Sequence, residues 1–453
     1  MADVIAAVAT GKIPCAIGIL RLSGDGCAEV CNKVFRAQSG KPLTEAPNRK
    51  LIMGELMDEQ GRVIDQVLAV YTRAPHTYTG EDTVELQCHG SPAVLAAGLT
   101  SLFHAGARQA GPGEFTRRAF LNGQMDLTQA EAVIDLIDAE TADAAANAAG
   151  QVGGALLRKI EPVYNKLTDV MSHFHAVLDY PDEDIDAFTQ NSYENVIRSG
   201  VIELGNLLNT YARGRVLKNG MKAVILGRPN VGKSSLLNAL AGYDRVIVTD
   251  IPGTTRDTVE ETVRVGRHLL RLLDTAGIRE TDDQIEAMGV ERAEKAAAEA
   301  DLAIFVCDAS QPLTEEDERA LDAALDCTRS LAIMNKMDLP PVVHSFELPF
   351  EYVVPLCAKT GDGLDNLEAA LDMMFPDDDP CDGSILTNAR QAGAVLRALQ
   401  SLEAAELSMK QGQTPDAILC DVENAMEALG EVIGRTVRED IVNRIFERFC
   451  VGK

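Results

Sequence analysis

Residues 227–234 combine glycines and a lysine at a spacing that could bind a phosphate group. Gly227 and Gly232 enclose four residues and precede Lys233 and Ser234. Glycines let backbone N–H groups turn toward an anion. Lys233 is predicted to reach the β- and γ-phosphates of a nucleotide, and the Ser234 hydroxyl to bind Mg²⁺. The alternative is a glycine-rich turn without a ligand, and the motifs downstream disfavour it.

The elements around this loop fit the same interpretation. An apolar run at 223–226 precedes the loop, and a helix-like pattern at 235–240 follows it. A strand–loop–helix order places the positive N-terminus of the helix against the anion. The residues of this segment that we predict to bind the nucleotide are Asn230, Val231, Gly232, Lys233, Ser234 and Ser235.

A second motif follows the apolar run at 269–273. Asp274 stands at the end of this predicted strand, where its carboxylate could hold Mg²⁺ through water, and the Gly277 amide could meet the γ-phosphate. Thr254 and Thr255 lie in a Gly/Thr loop before it, and either hydroxyl could complete the Mg²⁺ shell.

Two further motifs indicate which base is bound. Asn335-Lys336-Met337-Asp338 follows the apolar run at 331–334. Guanine offers two adjacent N–H donors that one carboxylate can accept, so Asp338 is predicted to select GTP over ATP. Residues 357–359 (Cys357, Ala358 and Lys359) follow another strand and fit a backbone contact to guanine. Four motifs in this order predict a GTPase.

The residue that orients the attacking water is not evident from these motifs. Many GTPases place a glutamine directly after the Asp-x-x-Gly turn, and here that position is Ile278. Glu286 is a candidate, although its spacing alone favours a solvated carboxylate. Arg256 and Arg279 could act as arginine fingers, but exposed loop arginines are more often solvated. A monovalent cation could supply the missing positive charge instead.

Length and composition limit the architecture and the partners. A chain of 453 residues favours two or three domains. A formal charge of −27 weighs against broad nucleic-acid binding, so any RNA contact must use a local basic patch or a more basic partner. No uncharged run of residues approaches the length needed to span a membrane. The first residues lack the basic stretch followed by an apolar one that is typical of a signal peptide. Ten scattered cysteines favour reduced thiols in the cytoplasm, with Cys27 and Cys31 in a core rather than a metal site.

The elements that must position these residues follow from periodicity. An α+β region comes first, with strands at 16–22, 67–72 and 83–88 and a helix at 92–105. A helical region follows to about residue 211, with a turn at 180–184, and residues 218–375 alternate strands and helices as in a mostly parallel doubly wound sheet. Helices return at 386–405 and 416–449. This order predicts an α/β unit inserted into one helical domain, and two separate helical domains are the alternative.

With these motifs in view, the chain resembles the MnmE (TrmE) family of tRNA modification GTPases from its first residues to its last. The most specific matches lie outside the nucleotide motifs: YTGEDTVELQ at 78–87, GEFTRRAFLN at 113–122, DLTQAE at 126–131 and FCVGK at 449–453. TDIPGTTRD at 249–257 and DTAGIRE at 274–280 also match.

The resemblance implies three domains and a full nucleotide site. It implies an α+β N-terminal tetrahydrofolate-binding and dimerisation domain at 1–117, an all-α helical domain at 118–216 and 379–453, and an inserted α/β Ras-like P-loop GTPase domain at 217–378. Further GTP-binding positions would be Thr249, Asp250, Ile251, Pro252, Gly253, Thr254, Thr255, Asp274, Thr275, Ala276 and Gly277.

The resemblance also assigns ions and a catalytic residue. K⁺ would be bound by the Asn230 side chain, the Thr249 and Ile251 carbonyls, and Thr254. Ser234 and Thr255 would bind Mg²⁺. Glu286 matches the water-orienting glutamate of the family, which reverses the interpretation from spacing.

In this family a flavin-dependent partner, MnmG, joins the homodimer in a heterotetramer. Together they add an aminomethyl or carboxymethylaminomethyl group to C5 of the tRNA wobble uridine. The resemblance implies a cytoplasmic location and no association with a membrane. The one-carbon unit comes from 5-formyl- or 5,10-methylene-tetrahydrofolate. Arg21, Glu85 and Lys453 match folate-binding positions, and Gln124 stands where a basic residue is common.

Two other functions stay open at this point. An RNA-binding GTP switch in ribosome assembly would share the phosphate loop, but no RNA-binding appendage is evident and the acidic charge disfavours it. A folate-dependent one-carbon transferase with a regulatory GTPase would need its catalytic residues within the first 115 or near Cys450, which has no adjacent base in the sequence.

Overall fold

A computed structural model describes residues 3–11, 13–179, 190–243, 261–273, 297–376, 381–436, 439–447 and 449–452. The chain folds into two compact units. The first unit contains residues 1–134, 151–204 and 393–453, and the second contains 135–150 and 205–392. Segments 135–150 and 205–216, which we predict as helical domain, therefore group with the phosphate loop. The predicted domain borders stay predictions.

The strands are β1 (Ile5–Val8), β2 (Cys15–Ser23), β3 (Phe35–Ala37), β4 (Leu51–Met57), β5 (Val63–Thr72), β6 (Thr83–Gly90), β7 (Arg108–Gln109), β8 (Met221–Leu226), β9 (Glu261–Val265), β10 (His268–Leu272), β11 (Leu302–Asp308), β12 (Ser330–Asn335) and β13 (Val353–Pro355). The described helices are α1 (Cys27–Asn32), α2 (Pro92–Ala105), α3 (Glu114–Leu121), α4 (Leu127–Ile137), α5 (Ala142–Val152), α6 (Ala155–Asp179), α7 (Gln190–Asn209), α8 (Tyr211–Asn219), α9 (Lys233–Tyr243), α10 (Glu315–Leu325), α11 (Leu364–Met374), α12 (Ala389–Lys410), α13 (Pro415–Ile433) and α14 (Glu439–Phe446).

The first unit is built on a seven-stranded sheet in the order β3-β4-β5-β6-β2-β1-β7. Its strand pairs are antiparallel except β1 with β7. Helices α1 and α2 cover one face, where Leu20, Leu22 and Leu86 are fully buried. Cys27 and Cys31 lie in this core, so their predicted role in packing is confirmed. The ten cysteines, all within the described residues, are free thiols.

The last described residues of the chain return to the sheet of the first unit. Val451 forms an isolated antiparallel bridge with Pro112. Gly452 has a φ of 107°, and a Cβ there would lie 2.2 Å from the Val8 carbonyl oxygen at the end of β1. Only glycine tolerates this combination of conformation and close approach.

The second unit is built on a six-stranded sheet in the order β13-β12-β11-β8-β10-β9. All its pairs are parallel except β9 with β10, so the prediction of a mostly parallel sheet is confirmed. Residues of β11 are buried along the whole strand, as expected when helices cover both faces. The loops at the carboxyl ends of β8, β12 and β13 carry the predicted phosphate and base motifs.

The predicted elements of the C-terminal region need two corrections. The helix expected at 386–405 begins at Ala389. The helix expected at 416–449 is divided into α13 and α14. Helix α13 ends at Ile433, because the next residue, Gly434, has a left-handed φ of 85°. The turn predicted at 180–184 lies outside the described residues. No helix in the described ranges has the length and apolar character needed to cross a membrane.

Candidate nucleotide-binding site

The backbone after β8 forms a tight loop that requires its glycines. Gly227 has a φ of 150°, and a Cβ there would lie 2.3 Å from the Val306 carbonyl oxygen. Gly232 has a φ of 104°, and its Cβ would lie 2.1 Å from Nδ2 of Asn335. A side chain at Gly227 would collide with β11 and one at Gly232 with Asn335, so the fold explains both glycines of the motif.

Lys233 is the first residue of α9, and its ammonium group already contacts the loop. Nζ donates hydrogen bonds to the carbonyl oxygens of Gly227, at 2.6 Å, and Arg228, at 2.9 Å. Burial lowers the pKa of Lys233, and the negative charge of Asp317 opposes this shift. A phosphate anion would favour the charged form of this partly desolvated ammonium, which agrees with the predicted role.

Asn335 links the phosphate loop to the base-binding segments. Its buried side chain donates from Nδ2 to the Val231 carbonyl oxygen at 2.7 Å. Oδ1 accepts from the backbone N–H of Ala358 at 2.9 Å. This residue, predicted from its motif to bind GTP, therefore fixes two loops relative to each other. The contact joins the carboxyl ends of β8, β12 and β13.

Lys336 adopts a φ of 64° and reaches a buried carboxylate. Nζ donates to Oδ2 of Asp308 at 2.7 Å, and the other oxygen accepts from the hydroxyl of Ser310 at 2.6 Å. Burial raises the pKa of Asp308, but the hydrogen bonds from Lys336 and Ser310 outweigh it and lower the pKa overall. The side chain of Lys336, which follows β12, is thereby fixed to the last residue of β11.

Asp338, the predicted guanine-binding carboxylate, is exposed and has a sulfur neighbour. The thiol of Cys357 donates to Oδ1 of Asp338 at 3.4 Å, and Cys357 itself is buried. Sequence motifs predicted only a backbone contact for Cys357, so this side-chain role was missed. The thiol orients one carboxylate oxygen and leaves the exposed carboxylate able to accept from a base.

An open cleft of about 480 Å³ lies next to these residues. One wall is α9, and the other is the segment that begins at Ala358 and Lys359. Its volume falls within the range of small-molecule sites. The lining residues are Ser235, Asn238, Ala239, Gly242, Ala358, Lys359, Thr360, Gly361 and Leu364.

Of the predicted Mg²⁺ and K⁺ ligands, only Ser234 and Asn230 lie within the described residues. Ser234 and Asn230 lie at the phosphate loop, and both are exposed. Within the described ranges no cluster of three or more His, Cys, Asp or Glu side chains could hold a metal. A hydroxyl and nucleotide phosphates can bind Mg²⁺ without such a cluster. Other predicted site residues lie outside the described residues: Thr249, Asp250, Ile251, Pro252, Gly253, Thr254, Thr255, Asp274, Thr275, Ala276, Gly277 and Glu286.

The predicted folate residues Arg21 and Glu85 are brought together in the first unit. They are opposite each other on β2 and β6, and Nε of Arg21 lies 2.8 Å from Oε1 of Glu85. The guanidinium carbon lies 5.8 Å from the ring centroid of Tyr78 and 5.7 Å from that of Phe115. Arg21 therefore stands beside a carboxylate and two aromatic rings, of which Phe115 is fully buried. The folate role of Arg21 and Glu85 stays a prediction.

Gln124 lies against the segment that carries Tyr78. Its Nε2 is 3.1 Å from the position a Cβ on Gly80 would occupy. Cys450 is exposed, and its carbonyl oxygen accepts from the N–H of Gly113 at 3.3 Å. Lys453 lies outside the described residues, and its neighbour Gly452 packs at the end of β1, whose Ala7 pairs with Arg21.

Comparisons with known proteins cover the whole chain. The family model described as MnmE helical domain matches residues 127–450, and the model described as GTP-binding protein TrmE N-terminus matches residues 4–124. The tRNA modification GTPase MnmE of Lachnoclostridium phytofermentans is 42% identical over 458 residues, with 100% of this chain and 99% of that protein covered. The protein of the same name from Symbiobacterium thermophilum is 41% identical over 455 residues, with the same coverage.

Solved structures give a weaker comparison. The structure of Era in complex with MgGDPNP and nucleotides of 16S ribosomal RNA is 26% identical to this chain, with a TM-score of 0.27. The match covers 40% of this chain and 66% of the Era chain. A TM-score this low supports no conclusion about the present chain.

Proposed function

This chain belongs to the family of tRNA modification GTPases MnmE, and we propose that it uses GTP hydrolysis to drive modification of the tRNA wobble uridine at C5. It is a GTP hydrolase that acts in tRNA modification and uses GTP and Mg²⁺. The product we propose carries an aminomethyl or carboxymethylaminomethyl group.

The contact of Asn335 with both Val231 and Ala358 is the observation that carries the nucleotide part of this proposal. It fixes the phosphate loop relative to the base-binding residues, so one ligand can reach Lys233 and Asp338 together. Asp338 would accept the paired N–H donors of guanine, and an adenine would leave this carboxylate unpaired.

The chain's own groups would act on the triphosphate by position and charge. Lys233 would exchange its two carbonyl contacts for phosphate oxygens, and the Ser234 hydroxyl would hold Mg²⁺ with Thr255. Bound Mg²⁺ neutralises charge on the phosphates. Glu286 would orient the attacking water. K⁺, bound by Asn230, Thr249, Ile251 and Thr254, would stand in for an arginine finger.

The first unit would bind a tetrahydrofolate derivative and pair with a second copy. Arg21 and Glu85 offer a cation and an acceptor, and Gly452, near the end of the chain, packs at the end of β1, the strand that pairs with β2. Lys453 and Gln124 would complete the pocket. On the outer face of the sheet, Met53 pairs across strands with Leu68, and both are exposed, which favours burial against a partner copy.

The tRNA chemistry would need the flavin-dependent partner MnmG in a heterotetramer. A formal charge of −27 disfavours extensive direct contact with tRNA phosphates, so a more basic partner would carry much of that binding. We place the assembly in the cytoplasm. GTP hydrolysis would open and close paired GTPase domains during this reaction.

The wobble nucleoside itself provides the test. Cells that lack this protein would be complemented with wild type, with Asp338→Asn, or with Asp326→Asn, an exposed residue at the end of α10 that serves as the matched control. We expect mass analysis of tRNA nucleosides to find the C5-modified uridine restored by wild type and Asp326→Asn alone. Unchanged wobble uridine in the cells that lack the protein would refute the proposal.

A further inference from the structure

The side chain of Arg228, the residue after the first glycine of the phosphate loop, points to a second helix of the unit. Its Nε lies 2.9 Å from Oδ2 of Asp317 on α10, within ion-pair distance although this N–H makes no hydrogen bond among the described residues. Its Nη2 donates to Oε1 of Gln311 at 3.0 Å. An arginine at this position could have been a phosphate ligand. Here its guanidinium is instead engaged by the β11–α10 loop and by α10.

Asp317 is a buried carboxylate with few ways to offset its charge. Its side chain is only 1% exposed. Oδ2 accepts from the backbone N–H of Thr314 at 3.0 Å and from its hydroxyl at 2.9 Å, in the capping box that begins α10. Oδ1 has no hydrogen-bond partner among the described residues. A buried anion in this state depends on a nearby cation, and Arg228 supplies one.

The backbone of Arg228 contacts the catalytic machinery directly. Its carbonyl oxygen accepts from Nζ of Lys233 at 2.9 Å. The residue is therefore attached at both ends, with its main chain on the phosphate-binding lysine and its side chain on Asp317. Any shift of the loop that carries Arg228 would strain the buried ion pair or break it.

We propose that Arg228 is a positioning residue, whose ion pair with Asp317 holds the phosphate loop ready for GTP before the nucleotide arrives. The pair acts on binding because it fixes the carbonyl groups and N–H groups around Lys233. In this role Arg228 would act without contacting the phosphates. This role rests on the GTPase activity of the family and not on the tRNA or folate steps.

Steady-state GTP hydrolysis by the full chain tests this role. The variants are Arg228→Ala, Asp317→Asn, both together, and Arg319→Ala, an exposed arginine of the same helix, as the control. We expect each single variant to raise the KM for GTP about tenfold with a much smaller change in kcat. The double variant should be no worse than either single one, since both remove the same pair.

Three results would overturn the proposal. A KM for GTP that stays normal while the Tm falls would show a purely structural pair. A high KM in Arg228→Ala but not in Asp317→Asn would make Arg228 a phosphate ligand. Equally, the KM of the double variant could rise by the product of the two single fold increases. The two residues would then act independently, and their coupling would be refuted.

Two milder variants keep the test decisive if Asp317→Asn does not fold. Arg228→Lys retains a cation opposite Asp317 and should bring the KM for GTP back toward wild type. Gln311→Ala removes an exposed partner and should raise KM about twofold, in line with one weak hydrogen bond. A lysine variant as poor as the alanine variant would refute the ion pair as the cause.

Discussion

The carboxylate that we propose to bind guanine has a sulfur neighbour, because Cys357 donates its thiol hydrogen to Oδ1 of Asp338. A thiol is a weak donor, and a hydroxyl would make a shorter and stronger bond to a carboxylate. We expect Cys357→Ser to tighten GTP binding about threefold and Cys357→Ala to weaken it about threefold. Titration of a fluorescent GTP analogue measures this. Equal affinity in all three proteins would remove the thiol from base recognition.

Asp338 itself has a larger expected effect. Asp338→Asn replaces an acceptor by an amide that also donates, so one of the two guanine N–H donors loses its partner. We expect GTP affinity to fall about 100-fold, while xanthosine triphosphate, which offers an acceptor at that position, binds better than GTP. Competition with a labelled nucleotide measures both. GTP affinity equal to wild type would refute the base assignment, and ATP should remain a poor competitor throughout.

The motifs predicted which side chains lie near the phosphate loop better than they predicted what those side chains contact. Lys233 and Asp338 stand where a strand end must place them, because each follows a parallel strand. The pairing of Arg228 with Asp317 joins segments far apart in the sequence, and nothing in the loop motif indicates it. The strand register that sets Arg21 opposite Glu85 likewise cannot be predicted until the pairing of β2 with β6 is known.

At the scale of elements, Glu114 links the start of α3 to its surroundings. Its Oε2 accepts from the N–H of Gly111 at 2.8 Å, and Arg108 and Arg118 also donate to its carboxylate. Burial opposes ionisation, yet these hydrogen bonds lower the pKa of Glu114 from 4.5 to about 2. The ionised side chain therefore stabilises the folded state fully above pH 4.5, and this contribution is lost as the pH falls toward 2.

Replacement of Glu114 by glutamine tests this dependence. We expect Glu114→Gln to reduce the free energy of unfolding at pH 7 by about 1–2 kcal/mol, allowing for solvent screening. The difference from wild type should shrink as the pH falls below 4.5. Thermal unfolding followed by circular dichroism between pH 7 and pH 3 measures it. A difference that stays constant over this range would contradict the role of the charge, and Glu403→Gln, in an exposed part of α12, is the control.

The elements that were predicted best are those with long, regular patterns. The helix at 92–105 has the predicted bounds, and β2, β5 and β6 contain the predicted strands. The short strands β1, β3 and β7 were not predicted, because two to four residues carry too little periodicity. The seven-residue strand β4 was also missed, so length does not explain every omission. The division between α13 and α14 depends on Gly434, where a Cβ would lie 2.8 Å from the ring of Phe120, and that contact is long-range.

At the scale of the whole molecule, an inserted unit is expected from helical patterns on both sides of the α/β region. Which helices accompany it is not evident from the pattern. In the second unit, a Cβ on Gly150 would lie 2.0 Å from the Asp382 carbonyl oxygen, and one on Gly214 would lie 1.9 Å from that of Leu386. These approaches join segments from before and after the phosphate loop, and only the fold reveals them. Arg271 of β10 also reaches Glu140 at 3.1 Å.

Exposed apolar residues on the outer face of the first sheet lead to a prediction about the proposed homodimer. Met53 is 50% exposed and Leu68 is 38% exposed, although they are direct neighbours on β4 and β5. An exposed apolar pair of this kind would be stabilised if a second copy covered it, and a charge placed there would be desolvated on pairing. We therefore expect Leu68→Asp to weaken the proposed homodimer by at least about tenfold in dissociation constant.

Light scattering after size exclusion over a range of protein concentrations measures this dimer. The matched control is Leu407→Asp, because Leu407 is equally large and 55% exposed on α12. The control should keep the mass of two chains, while Leu68→Asp should approach the mass of one. GTP binding should survive in both, since neither residue lies in the unit that carries Lys233. A Leu68→Asp protein that remains a dimer at low concentration would place the interface elsewhere on the chain.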